Sequence, residues 1–584
     1  MEVKTNQIIL LLVVVCFVLL IRNLFLLRFF QPVGYAFNIY SIFPLSFYLT
    51  LMFCFLMAIF LVLNGKRELG AIILCLNHFE ILTIPYFLGY YSMGRADDMS
   101  YIGEYLQIAA SGHFASWDIY PDSHIIGAGI SLISNLAAHQ TSFIIPIVFS
   151  FIFIAGIWLF SREIIPDYCI QSLVLVSSFV LYLGAYNFLN VPHALFFSLM
   201  PLYLCYFYKY MSVYNDTSHS IIFVLLTLIM PFAHPFIIFF LFVVFLFHLV
   251  PKSLLMIPSM GVLRIPRAKI SSFLLLSITF MSWLFYNERL SNDFKGSYVG
   301  YIDRMTKPLF VEATNSFSKI NLGLFDYIQL LSIYYGRYVF PTLIIFISVI
   351  YLYYHKDLLE ARNLRNYLFL WFLFIIFLFI QLILIFNPII AHQLDRISNL
   401  NFVVYSQIPL FSCALYLLLL KKSKSISKKL LVCIILLFVW SSSLFGCFDS
   451  PYIYRPNTAL TYNEVYGMNW FYDAKSESSI VAVPLSQINR FHDLFGNPRI
   501  RDHLYFFADH FGYLNSSHRN LIDFNPDLVE NSYIIIFTID ELLYQEIPAY
   551  RYVGRYNKED FDRLRNDIAV NKIYDDLNIE INKI

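Results

Sequence analysis

Charge is scarce in this sequence. Asp, Glu, Lys and Arg together make up 14% of 584 residues, and the formal net charge is +1. So even a balance offers no basic face for nucleic acid, and so few charged side chains would leave a soluble protein of this length poorly covered. Cysteine is sparse too. Its eight residues contain no Cys-x-x-Cys pair, which argues against a zinc site or a disulfide framework and leaves them as small apolar packing residues. No glycine-rich phosphate loop, internal repeat or low-complexity tract is found.

What is abundant is apolar surface. The chain is 59% hydrophobic and 19% aromatic, with a mean hydropathy of +0.65. Uncharged apolar runs of about 20 residues match the hydrocarbon thickness of a bilayer. About thirteen such runs are found, near 8–30, 40–63, 69–91, 141–160, 169–187, 192–210, 219–234, 235–250, 270–287, 339–355, 367–387, 401–420 and 429–447. The expected fold is an all-α polytopic membrane protein of about thirteen transmembrane helices with a small C-terminal α/β domain. The first run has no small-residue cleavage site after it and is expected to stay as an anchor. At Pro231 to Pro235 two prolines break one long run, giving either a tight re-entry between short spans or a kinked helix.

Basic residues set the expected orientation. With a cytoplasmic N-terminus, the inner loops collect Lys66, Arg67, Arg162, Lys209, Lys252, Arg264, Arg267, Lys269, Lys356, Arg362, Arg365 and the cluster Lys421 to Lys429. The short outer loops then hold little beyond Arg95 and Arg396. This predicts a multi-pass plasma membrane protein with two large outer loops, 92–140 and 288–338. The membrane domain covers 1–447, and the polar remainder, 448–584, lies outside as an extracytoplasmic soluble domain.

The stretch Arg95-Ala96-Asp97-Asp98-Met99-Ser100 opens the first outer loop. Carboxylates at a membrane edge often mark a site, and an adjacent pair could act as a base or hold a metal. Alternatively, Asp98 caps the helix that starts at Met99 and Asp97 is a solvated loop residue. Apolar spacing at Met99, Ile102, Tyr105, Leu106 and Ala109 predicts one helix, and Ser123 to Leu136 a second. Both suit helices lying along the membrane surface. The turn-rich segment between them contains Asp122 and His124, which either line a site or cap the second helix. Arg337 begins a spanning run, where a guanidinium could hold a lipid-linked phosphate. His392 and Arg396 share one short outer loop with Asp395, and His234 sits between Pro231 and Pro235.

In the C-terminal stretch, Thr461-Tyr462-Asn463-Glu464 has capping-box form ahead of a helix through Trp470. Ile480 to Val483 and Tyr533 to Phe537 read as buried strands. Lys558 to Ile568 reads as a charged helix, and Lys572 to Ile581 as a hairpin.

An acidic pair in the first large outer loop, interfacial helices beside it, about thirteen spans and an outer C-terminal domain together resemble the GT-C class of integral-membrane glycosyltransferases. That resemblance implies transfer of a sugar from a polyprenyl-phosphate carrier to a glycan or glycolipid acceptor in the bilayer's outer face. It implies Asp97 or Asp98 as general base and cations for the leaving phosphate, here Arg337 and Arg396 with His392 and His234. Asp122 and His124 would lie on the acceptor side. The acidic pair follows the third span, where the class usually has it after the first, and the Trp-Trp-Asp signature of oligosaccharyltransferases is absent. A divalent cation is left open, since members differ and no clean ligand set shows. Two other readings stand beside this one: a polysaccharide polymerase or ligase of the O-antigen type, and a lipid-linked glycan transporter or flippase. A non-catalytic scaffold with an outer binding domain is a third.

Overall fold

The computed structural model describes residues 2–584 except 33, 213–216, 250–255, 258–260, 263–268, 303–322, 356–360, 387–400, 423–424, 476–478, 496–504, 508–510, 512–531, 548–549 and 551–555. The chain is an all-α polytopic membrane protein with a small α/β region at its C-terminal end.

The helices follow the apolar runs: α1 (Glu2–Phe29), α2 (Leu45–Leu63), α3 (Arg67–Phe87), α4 (Asp97–Ser111), α5 (Pro121–Ser134), α6 (Ala138–Ile164), α7 (Tyr168–Tyr182), α8 (Pro192–Ser212), α9 (Thr217–Ala233), α10 (Ile237–Leu249), α11 (Ile270–Tyr286) and α12 (Glu288–Ile302). Beyond them come Leu324–Ile333, Gly336–Tyr354, Ala361–Phe386, Val404–Leu415 and Ile426–Phe445. Each of the thirteen expected runs therefore carries a helix. Among the described residues, seven of these are long and apolar enough to cross a membrane by length and composition. The helices at 168–182, 217–233, 237–249 and 404–420 are apolar but shorter. The Pro231 to Pro235 stretch breaks the chain into α9 and α10, as a helix interior does where proline removes a donor and crowds the preceding turn. Leu11, Val14, Val18, Ile21 and Phe25 of α1 are exposed, and at helical spacing they form a stripe suited to lipid.

A second break shapes the site. Between α11 and α12 the chain turns by 96° at Asn287, whose side chain donates to the Asp118 carbonyl at 2.9 Å and accepts the Leu290 amide at 2.9 Å. Asn287 thus stops one helix, starts the next and ties both to the loop between α4 and α5.

After a two-residue hairpin of β1 (Met256–Ile257) and β2 (Gly261–Val262), the remaining strands are β3 (Val481–Val483), β4 (Tyr505–Phe507), β5 (Tyr533–Phe537), β6 (Asn571–Asp576) and β7 (Ile579–Lys583). They form one mixed sheet in the order β4-β3-β5-β7-β6. β3 pairs in parallel with β4 and β5, and β7 is antiparallel to β5 and β6. The Thr461–Glu464 box forms as expected, with Thr461 N–H donating to Glu464 Oε2 at 2.8 Å ahead of the helix Tyr462–Ala474.

The sheet does not stand apart from α4 and α5. Met99, Ile102 and Tyr105 of α4 and Ala128 of α5 share one hydrophobic cluster with Val481, Phe491, Leu494, Ile535 and Ile581. The loop and the C-terminal region therefore lie at the same end of the bundle. Burying one common apolar face gives α4 and α5, which at 15 and 14 residues are too short to span a membrane, a place to pack.

Candidate active site

α4 begins two residues earlier than the Met99 start that its apolar spacing predicts. Its first residue is Asp97, the residue before it is Ala96, and no side chain caps the helix. Both aspartates therefore sit in the first turn, where negative charge meets the positive end of the helix dipole. The reading of Asp98 as a cap is overturned, because a cap must lie outside the helix to reach its free amides.

Successive helical residues point about 100° apart, and the two aspartates part company. Asp98 is 2% exposed. Its Oδ2 accepts from the Ser92 hydroxyl and from the Gly94 amide at 3.1 Å. Its Oδ1 makes no hydrogen bond of ordinary geometry among the described residues. Burial pushes the Asp98 carboxyl up to about 7, against the opposing pull of Ser92 and nearby amides, because a charge in a poorly polarisable site loses its hydration. Two turns along the same face, Tyr105 donates to Asn190 Oδ1 at 2.6 Å and closes that side of α4 onto the loop before α8.

Asp97 faces the other way. Its side chain is 19% exposed and pairs with Arg490 at 2.9 Å. Nearby Arg95 pairs with fully buried Glu464 at 2.6 Å and lies over the rings of Tyr35 and Phe537.

A second cluster lies between α4 and α5. Asp118, in the connecting loop, accepts from the Tyr120 amide at 2.8 Å and pairs with His124 Nδ1 at 2.7 Å. Glu104, Asp118 and His124 are all buried, with ligand-type atoms within 4.8 Å of one another. Glu104 Oε2 and His124 Nε2 make no hydrogen bond among the described residues. A carboxylate on Nδ1 that leaves Nε2 open is the usual outer support of a metal-binding histidine, so in donor type and burial the residues fit a divalent cation on Nε2 and Oε2. Burial raises the Glu104 carboxyl and His124 opposes it.

α5 starts at Pro121 after Tyr120, with no side-chain cap. The capping alternative for Asp122 and His124 therefore fails for both: Asp122 lies inside the first turn, and His124 turns inward onto Asp118. Burial, with Asp118 as a second cause, pushes the Asp122 carboxyl up to about 7.

The remaining expected residues lie elsewhere at the bundle's end. Arg337 is buried, donates to the Leu183 carbonyl and rests over the Tyr338 ring. His234 is buried, accepts the Phe236 amide on Nδ1 at 3.1 Å and stacks on Tyr120 at 4.9 Å. Its ring centroid is 4.0 Å from that of His193. Tyr120 thus links His234 to the Asp118 loop. His392 and Arg396 fall in 387–400, outside the described residues.

Sequence reading missed Ser92, Glu104, Asp118, His193 and Arg490. The Asp118 and His124 spacing, six residues across a proline turn, was the one local signal available. Nothing local points from Asp97 to Arg490.

No protein-family model and no curated protein matches the chain. Among solved structures it is similar to an Archaeoglobus fulgidus oligosaccharyltransferase described as a complex with Zn and sulfate, at 10% identity and a TM-score of 0.48, over 84% of this chain and 70% of that one. It is also similar to the arabinofuranosyltransferase AftD from Mycobacteria, at 11% identity and a TM-score of 0.46, over 89% of this chain and 40% of that one. At these scores neither likeness assigns chemistry to a residue here.

Proposed function

We propose that the chain is a membrane glycosyltransferase that moves a sugar from a polyprenyl-phosphate carrier to a glycan or glycolipid acceptor on the extracytoplasmic face, with Asp98 as general base. The observation that supports this reading is Asp98 itself: a buried carboxylate whose Oδ1 makes no hydrogen bond of ordinary geometry among the described residues, its proton affinity brought near neutrality. A base works best when it is ionised at the working pH yet still gains from taking the proton.

In this reaction the acceptor hydroxyl oxygen attacks the anomeric carbon. The bond from that carbon to the phosphate oxygen breaks, the hydroxyl proton passes to Asp98 Oδ1, and polyprenyl phosphate leaves. Developing charge on the phosphate calls for cations or donors aimed at it. Arg337 and His234, with Arg396 and His392, are assigned to the phosphate, and Asp122 and His124 to the acceptor side. A divalent cation held by Glu104 and His124 would, when bound, supply positive charge on that acceptor side. The basic inner loops support the N-terminus inside and the C-terminal region outside.

The test uses purified full-length protein in lipid vesicles with radiolabelled undecaprenyl-phosphate hexoses and pentoses and an extract of cell-surface glycans. The expected result is label in the glycan fraction with one polyprenyl phosphate released per sugar moved. Label that crosses the bilayer still joined to lipid, with none in the glycan, would contradict the reading and favour a transporter. Joining of whole lipid-linked glycans, with no transfer of single sugars, would favour a polymerase or ligase.

A further inference from the structure

Asp97, Ser100 and Gly103 stand three residues apart and so form one stripe on α4. All three meet the short helix Asn489–Leu494 of the C-terminal region. A methyl group on Gly103 would land on the Asp493 carbonyl oxygen, so glycine at this point is what lets the two backbones approach. Ser100 donates to Asp493 Oδ2 at 2.6 Å. Arg490 spans the seam: one guanidinium nitrogen donates to Ser100 at 2.9 Å and lies 3.4 Å from Asp493, and the other holds Asp97 at 2.9 Å. The opposite stripe is anchored to the same region. Ser92, whose hydroxyl holds Asp98, exchanges backbone hydrogen bonds with Leu460, including Leu460 N–H to Ser92 O at 2.8 Å.

We propose that Arg490 is a positioning residue of the Asp98 site: it holds Asp97 in an ion pair and leaves Asp98 as the one working carboxylate of the adjacent pair. The proposal rests on the glycosyltransferase reading for its catalytic consequence, while the charge arrangement itself can be tested without turnover. The C-terminal region is then one wall of the site, and the chemistry depends on a side chain 393 positions away from Asp97 in the chain.

The charged and titratable groups that flank the first two turns of α4, which carry Asp98, come from three sources. α4 supplies Asp97 and Tyr105; the preceding turn supplies Arg95, whose charge is met by Glu464 and faces Asp540; and the C-terminal helix supplies Arg490 and Asp493. Removing the positive charge of Arg490 makes the first turn of α4, which carries Asp97 and Asp98, more negative. A like charge disfavours ionisation, so Asp98 should then need a higher pH to lose its proton.

Transfer of radiolabelled sugar from undecaprenyl phosphate is measured against pH for the parent, Arg490→Gln, Arg490→Lys, Asp97→Asn and the double variant Arg490→Gln/Asp97→Asn. The acid limb should move up by about half a unit to one unit in Arg490→Gln, the order of magnitude for removing one nearby positive charge in a partly solvated setting. It should stay near the parent's in Arg490→Lys, move down in Asp97→Asn, and return toward the parent's in the double variant. In parallel, the Asp98 carboxyl is titrated by infrared difference spectroscopy against Asp98→Asn, and its midpoint should follow the same order. If Arg490→Gln does not fold, Asp97→Asn and Arg490→Lys still carry the comparison. An acid limb and an infrared midpoint unmoved in Arg490→Gln, or no return in the double variant, overturn the proposal. If the parent transfers no sugar but the infrared order holds, the functional reading fails while the charge arrangement stands.

Discussion

The two sides of α4 treat the same chemical group in opposite ways. Toward the C-terminal region, Asp97 is met by a guanidinium and stays near water. Toward the bundle, Asp98 is met by a hydroxyl and an amide and is cut off from water. An ion pair suits a fixed charge that braces two segments, whereas burial without a counter-charge makes a carboxylate responsive to protons. On the proposed reading, adjacent identical residues thus take a bracing role and a reactive one from the face of the helix on which each falls.

That contrast can be broken from the bracing side first. Glu464→Gln should cost about 3–5 kcal/mol, because it leaves the buried Arg95 without its partner; a loss of thermal stability in detergent is the readout. On the bundle side, burial of Asp98 has a sign that can be checked. Its proton affinity is raised by folding, to about 7, so the folded state holds more protons than the unfolded chain. The associated stability is fully present below the unfolded carboxyl range, near 3.9, and is lost as pH rises through about 7. Asp98→Asn should therefore be more stable than the parent at pH ~8 by as much as about 4 kcal/mol, with the difference fading toward pH ~4. Equal stability at both ends would show that Asp98 is well solvated. Gly103→Ala should cost about 1–3 kcal/mol by forcing α4 away from Asp493, and faster hydrogen exchange at the α4 amides would locate the damage. Tyr105→Phe should cost only about 1 kcal/mol, the net value of one buried hydrogen bond.

How much of this could be read from the chain follows the range of the interactions. The spans, α5 and the strand Tyr533–Phe537 were legible because apolar runs and local periodicity fix them. The α4 stripe was half legible. Met99, Ile102 and Tyr105 are buried as expected, but Leu106 and Ala109 face outward and Ile108 takes their place, since the buried arc follows Asp98 and Tyr105. The capping alternatives for Asp98, Asp122 and His124 failed for a common reason: a side chain offered to the first turn was claimed by another partner or by the interior. Asp97 with Arg490, Ser92 with Leu460 and Asn287 with Asp118 join segments far apart in sequence. No local pattern announces such pairs, because the packing that makes them is set by the whole fold.

The most direct test compares Asp97→Asn with Asp98→Asn in the same sugar-transfer assay, both isosteric and both shown to fold. Loss of a positioned base is worth about 100-fold to 10,000-fold. The predicted result is a loss of that size in Asp98→Asn with donor binding intact, and turnover within about tenfold of the parent in Asp97→Asn. Parent-like turnover in Asp98→Asn, or the larger loss falling on Asp97→Asn, would contradict the account.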